Sequence, residues 1–503
     1  MNKIVLTVIA VVAAGCCLLP TVGPDYECPS AGDTPEYLPP DAGFPTTNRT
    51  EVGEWKPAEG DDDVRAVVTV DDIRGWWRRF DDAVLTNLVE GAISNNLSFL
   101  MAQRRFETSR WMLLGSFAAF MPQATFGASG MLGHHERYNS SQYSAWKATG
   151  SKRNYADLFR AGFDASWEID IFGGNRRATE AAWAELGAAG WSLEDAWVSL
   201  TSEVVREYIQ LRTTQQRIAV ARTNLVLQTE TYDILKSRFD SGIGDELAVN
   251  QSKYVVDQTL ATIPPLLAEE ERLLNSIALV AGDIPGSRHA ELKDCPERDW
   301  LLEPAKIAAI PADMIRARPD VRVAERRLAA QTAKVGVAKA LWYPKLYING
   351  TLGLESVKVQ KFLGKGDFYG SIGPAISWPI FEGGSIYANV KAEESRMDEA
   401  FLAYEYAVRE AYREVRDAYA AYTQEYHRYQ ALQGAVRAAQ DAVSIANDLY
   451  KNGLRDFTAV IDAQRSLLSL EEALVISRGQ ITIDIIALYK ALGGGVTSDW
   501  EEE

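Results

Sequence analysis

Several things are scarce in this chain of 503 residues, and each scarcity removes a class of function. Only four cysteines occur (Cys16, Cys17, Cys28 and Cys295), too few for a disulfide scaffold and without the paired spacing of a zinc site. Whether Cys28 and Cys295 pair stays open. The four histidines (His134, His135, His289 and His427) form no ligand pattern, so no metal or other cofactor is expected. Basic residues are too few to offset the acidic ones, and the net charge of −17 argues against a nucleic-acid partner. No Ser/His/Asp spacing, P-loop or dinucleotide-binding glycine pattern appears, so no enzyme is expected. The many carboxylates read as solvated helix faces, with no two paired in a pocket. No run of 18 apolar residues follows the N-terminus, which excludes a transmembrane helix.

The N-terminus reads as an address. Lys3 precedes an apolar stretch from Ile4 to Ala14, too short to span a bilayer and suited to a signal peptide. Ala13-Ala14-Gly15-Cys16 resembles a bacterial lipobox, with Ala13 where Leu is usual. Cys16 is then the expected lipidation site; a plain secretory signal is the other reading. Pro20, Gly23 and Pro24 are expected to hold the following stretch extended.

What the chain has in abundance is repetition. Trp167 and Gly173 recur as Trp378 and Gly384, 211 residues on, and the same shift aligns Gly242 with Gly453 and Asp245 with Asp456. Upstream the shift is 222, taking Pro122 to Pro344. The difference points to extra residues in the polar run 134–157. Each half predicts a helix, two strands, a very long helix, a glycine turn and a returning helix. The strands alternate strictly: Phe159, Ala161, Phe163, Ala165 and Trp167 oppose Arg160, Gly162, Asp164 and Ser166. Their length of 9–13 residues fits tilted membrane strands, which need about 9–11; a soluble sandwich is the alternative. The long helices carry heptads, Trp183 to Phe239 and Phe401 to Tyr450, which predict coiled-coil packing. Gly242 and Gly453 are expected to end these helices, and Asp245 and Asp456 to cap the returning ones. Four membrane strands cannot close a barrel, and an open edge in lipid is costly, so several copies must share one.

Together, "VGPDYECP", "SWEIDIFGG" (166–174), residues 315–346, "WPIFEGG" (378–384), "DAQRSLL" (462–468) and "LYKALGGG" (488–495) resemble the TolC/OprM family of outer-membrane efflux ducts, in its lipoprotein, NodT-type branch. Val496 replaces that family's usual Trp. The resemblance implies a mainly α fold with β: a homotrimer with a 12-stranded β-barrel in the outer membrane and a periplasmic tunnel of long helical hairpins. It implies passive conduction of small molecules from an inner-membrane pump of RND type through a periplasmic adaptor protein. The implied layout is a signal peptide (1–15), an extended segment and belt (16–78), a first repeat (79–282), an equatorial link (283–318), a second repeat (319–492) and a tail (493–503). The implied periplasmic gate is Asp462, Tyr450 and Arg455; Ala459 and Ala248 stand where the family often has a further aspartate. The implied adaptor-contact tips are Gly242, Ile243, Gly453 and Leu454. A protein-secretion duct of the same family, or an envelope coiled coil with no channel, are the alternatives.

Overall fold

The computed structural model describes residues 21–27, 75–131, 158–294, 300, 315–356, 362, 367–452 and 454–494. Cys16, Cys28, Gly453, Cys295 and the run 134–157 lie outside them. The helices are α1 (Ala83–Asn95), α2 (Leu97–Phe117), α3 (Gly174–Asp240), α4 (Glu246–Val280), α5 (His289–Leu292), α6 (Pro319–Ala340), α7 (Ser385–Lys451) and α8 (Phe457–Ala491). The strands are β1 (Gln123–Met131), β2 (Leu158–Ile169), β3 (Lys345–Ser356) and β4 (Asp367–Ser377). The duplication is written into these bounds. α3 and α7 have 67 residues each, α4 and α8 have 35, and α7 and α8 each start 211 residues after their counterparts.

Two compact units cut across the repeats. One comprises 1–30, 107–188 and 325–403, the other 31–106, 189–324 and 404–503. The first holds the sheet, an antiparallel meander of order β1-β2-β3-β4. Its register sorts the two faces. Phe126, Phe163 and Leu352 lie side by side on one, and Thr125, Asp164, Thr351 and Ser371 on the other. Arg160 pairs with Glu355 across the polar face, and Ser166 Oγ donates to Asn349 Oδ1. A sandwich would bury one face under a second sheet; Phe126, Phe163 and Ile372 are instead exposed. Among the described residues, both edges, β1 and β4, have no strand partner.

The same strand-end staple closes both repeats. Trp167 Nε1–H donates to the Phe120 carbonyl at 2.9 Å, and Trp378 Nε1–H to the Trp342 carbonyl at 3.0 Å. In the same unit, the segment Thr21–Tyr26 is strapped against the start of α3. Arg177, whose side chain is 4% exposed, ion-pairs with Asp25 and Glu180 and donates to the carbonyl of Val22. Gly23 is not extended: its φ is +104°, and a Cβ there would lie 2.4 Å from the Gly336 Cα. Close backbone approach, not proline stiffness, sets its conformation.

In the second unit the heptads pack as expected in their middles. Val204, Leu211, Ile218, Val408, Val415 and Val436 are buried. The ends differ: Phe239 in this unit, and Trp183 and Phe401 in the first, are exposed in the single chain. A second column on α3 is buried beside the expected one: Glu207, Thr214, Ala221, Gln228 and Leu235, also seven apart. Its polar members hid it from a search for apolar periodicity.

Three helix ends share one device. The N–H groups of Gly242, Gly282 and Gly493 bond three residues back, and the following N–H bonds five back. With φ of +78°, +82° and +88°, these are Schellman caps. Asp245 caps α4 by accepting from Leu247 N–H. Asp456 occupies the matching place on α8, but its side chain makes no cap bond there. α4 alone contains a proline pair, Pro264 and Pro265, where α8 has Val475 and Ile476. Two missing N–H groups leave the Leu260 and Ala261 carbonyls without their helical donors.

A buried arginine hub organises this unit. Arg212, 1% exposed, donates to Gln215, to the carbonyls of Leu292 and Asp294, and to Tyr208 Oη. The Tyr208 hydroxyl donates in turn to Asp82 Oδ2 at 2.6 Å, while Asp82 Oδ1 accepts from Val84 N–H to cap α1.

Two carboxylates also meet on a buried arginine in this unit. Arg318 forks onto Asp320, reaches Glu414, and donates to the Ala491 carbonyl at 2.7 Å. Burial opposes its charge, but the two carboxylates outweigh this and raise its pKa. Asp195 is raised above the ordinary carboxylate range, first by burial, then by Asp320, with Lys490 and Arg318 pulling the other way. A raised folded pKa gives stability that is full below the unfolded value and lost as pH rises through the folded one. Asp195→Asn is therefore expected to raise the melting temperature at pH 7 and to shrink the gain seen on acidification. Melting curves between pH 4 and 7 check this; an unchanged or lower melting temperature at pH 7 would contradict it.

Candidate functional site

The expected gate lies at the ends of the two helical hairpins, α3–α4 and α7–α8. The turn between α3 and α4 is fixed by Gly242, whose left-handed φ an L-residue rarely adopts. Leu454 N–H bonds to the Leu449 carbonyl at 2.9 Å, repeating the Ile243 to Arg238 bond. Thus Ile243 and Leu454 each close a bond five residues back at their turns. Ile243 is 76% and Leu454 69% exposed, so neither is folded back onto its helix. A first-hairpin difference sits beside it. A Cβ at Gly244 would lie 2.7 Å from Phe239 N, whereas the second hairpin has Arg455 at this position.

Below the turns the hairpins share an apolar cluster. Leu235, Ala248 and Val255 meet Ala446, Phe457, Val460 and Ile461, and Tyr450 packs on it. Tyr450 meets Phe457 edge-on at 5.1 Å, and the Arg238 guanidinium lies 5.8 Å from its ring centroid. The tyrosine is therefore held from the first hairpin by a cation–π contact. Arg455 is exposed and makes no ion pair among the described residues. The resemblance implies linking roles for Tyr450 and Arg455; of these two, Tyr450 touches the first hairpin within the chain, through Arg238.

A second arginine–tyrosine contact was not foreseen. Arg465 on α8 lies 5.5 Å from the Tyr254 ring on α4, and its Nη2 donates to the hydroxyl at 3.4 Å. These are repeat-equivalent positions, 211 apart. Farther from the turns, Arg217 of α3 pairs with Glu472 of α8, and Asn224 donates to Glu471 at 3.0 Å.

Asp462 is exposed on α8, one turn before Arg465. Only its backbone carbonyl has a described partner, accepting from Ser466 Oγ. The first-hairpin equivalent is Gln251, so the acidic charge belongs to one hairpin only. No group of described residues could hold a metal ion, and no described helix is long and apolar enough to cross a membrane. What the arrangement offers is a pair of hairpin ends joined by weak aromatic contacts, with an unpaired carboxylate beside them.

Comparison with known proteins bears on this geometry. The profile of a family described as outer membrane efflux protein matches residues 88–282 and 310–494. Nodulation protein T of Rhizobium leguminosarum bv. trifolii is 30% identical over 439 residues, 86% of this chain and 88% of that protein. The solvent efflux pump outer membrane protein SrpC of Pseudomonas putida is 27% identical over 485 residues, 96% of each chain. Among solved structures, the outer-membrane channel OprN superposes with a TM-score of 0.80 at 30% identity, covering 94% of this chain and 99% of that one.

Proposed function

The chain belongs to the outer membrane efflux protein family, and we propose that it is the outer-membrane duct of a tripartite efflux system. It conducts small molecules passively outward, performs no covalent chemistry, and works as a homotrimer with a periplasmic adaptor and an inner-membrane pump of RND type. The observation that carries this reading is the sheet. Among the described residues it has four strands, two open edges, and one apolar and one polar face. In lipid the open edges are costly, and closing them takes further copies.

Purified protein in planar bilayers tests it: discrete conductance from a trimer is expected, and a non-conducting monomer would overturn it. The cargo is left to the pump. Cys16 carries the lipid, and Ile243 and Leu454, beside Gly242 and Gly453, meet the adaptor.

The gate is formed by the hairpin ends, with Tyr450 as a link and Asp462 as the charged ring. Three unpaired aspartates about one axis attract cations and repel one another. Asp462→Asn is expected to lower cation preference several-fold and relieve block by divalent cations. Unchanged selectivity and block in single-channel recordings would remove Asp462 from the gate.

A further inference from the structure

One rung of the sheet departs from the rest of its polar face. Gly127 lies opposite Gly162, Gly162 opposite Gly353, and Gly353 opposite Tyr369, one residue from each strand in order. The rungs on either side carry a side chain on all four strands: Ser129, Arg160, Glu355 and Asp367 on one, Thr125, Asp164, Thr351 and Ser371 on the other. Here β1, β2 and β3 carry none. Side chains in a sheet usually stand off its surface. Asp367 and Ser371 are exposed, but Tyr369 between them on β4 is half-buried. Its ring leans over the neighbouring strand: a Cβ at Gly353 would lie 3.0 Å from Tyr369 Cε1. The same Cβ would lie 2.6 Å from the Ala161 carbonyl oxygen and 2.8 Å from Gly162 Cα, so β2 and β3 also approach closely at this rung.

Duplication does not account for this row. The pair Gly353 and Tyr369 corresponds, 222 and 211 residues earlier, to the pair Met131 and Leu158, and Gly127 corresponds to Asn349. The first repeat closes the matching place with two bulky side chains. The second lays an aromatic ring on bare backbone, the way an aromatic covers a strand glycine.

We infer that Tyr369 sets the width of the duct at this rung, and that Gly353 holds it at the wide setting by letting the ring lie along the wall. This rests on the duct reading above, in which the polar face lines the lumen. With a side chain at position 353 the ring loses its place on the wall and turns into the lumen, at the same height in every copy. Passage of a neutral solute then depends on the opening that the rings leave. Tyr369 thus discriminates by size. Charge is left to the neighbouring rungs, where Arg160 pairs with Glu355 on one side and Asp164 stands among hydroxyls on the other.

Size-graded polyethylene glycol maleimides, applied outside intact cells, test this without passing the periplasmic gate. The full-length chain with Cys17, Cys28 and Cys295 changed to serine carries either Ser371→Cys, one rung nearer the helices than Tyr369, or Ser129→Cys, one rung farther from them. The chain with neither gives the background. Gly353→Val should lower the largest reagent that labels Ser371→Cys by at least one size class and leave the labelling of Ser129→Cys unchanged. Adding Tyr369→Ala should restore the original limit or exceed it, because the ring, not the new side chain, obstructs. A limit that stays low in this double variant, or one unchanged in Gly353→Val, would overturn the inference and leave the duct reading standing. Should Gly353→Val fail to assemble, Tyr369→Trp and Tyr369→Ala decide it. The larger ring overhangs the one glycine and should lower the limit, the smaller side chain should not, and equal limits for all three residues would overturn the inference. Labelling of Ile372→Cys, on the apolar face, in place of Ser371→Cys would instead show that the polar face does not line a lumen, and the duct reading would fall with it.

Discussion

Arg212→Ala is expected to cost about 3–5 kcal/mol of stability, the scale of breaking a buried charged network by removing one partner. The guanidinium satisfies Gln215 and the carbonyls of Leu292 and Asp294, and stacks 4.8 Å from the Tyr208 ring centroid. Once it is gone, those carbonyls are buried with fewer donors, and each unsatisfied group costs roughly 1–3 kcal/mol. The Asp82 carboxylate also loses its route to positive charge, since the Tyr208 hydroxyl is the bridge between them. Tyr208→Phe removes only that bridge, and about 1–3 kcal/mol is expected. Arg212→Lys should fall between wild type and Arg212→Ala, because one ammonium cannot reproduce a planar fork. Denaturant unfolding in detergent gives the order, and protease nicking in 283–294 should rise with it. An Arg212→Ala midpoint matching the wild type would show that the hub does not hold the link.

The second large effect is at Gly23. Gly23→Val should detach the strap 21–26, by about 3 kcal/mol or roughly a 100-fold rise in its open population. Two costs add. The left-handed φ of +104° disfavours a β-branched side chain, and the new Cβ would sit 2.4 Å from the Gly336 Cα. Backbone cannot yield as a flexible side chain would. Chymotrypsin cleavage after Tyr26 reads the open state. Gly242→Ala supplies the comparison, since that glycine shares the positive φ but has nothing within 4 Å of the added Cβ. It should cost only about 1 kcal/mol. Arg177→Ala should loosen the strap without any clash. If Gly23→Val leaves Tyr26 as protected as before, the close approach does not hold the strap.

These two hubs are also where sequence reasoning fell short. The repeat was legible because 211 residues separate features as distinctive as tryptophan and paired glycines, and the helices reproduce that offset at their bounds. Strand faces were legible from alternation, since register follows from which side is apolar. Arg177 and Arg212 gave no such signal. Their partners lie at Asp25 and Leu292, 152 and 80 residues away, and a buried arginine has the same letter as a solvated one. At the hairpin ends, local geometry came through: Gly242 caps and Asp245 bonds to Leu247. Pairing across hairpins did not, because Arg238 and Arg465 reach their tyrosines by tertiary packing alone. The exposed heptad ends Trp183, Phe239 and Phe401 were expected inside a coiled coil, an expectation that counted partners a single chain does not contain.

The proline pair of α4 gives the two returning helices different stiffness. They have the same length and the same glycine cap, but α4 lacks two N–H donors at Pro264 and Pro265, whereas α8 has Val475 and Ile476 at the matching turn. A lateral load on the hairpin ends is then absorbed in the first hairpin as flexure. In the second it is transmitted along α8 as along a lever, and that is the rod bearing Asp462.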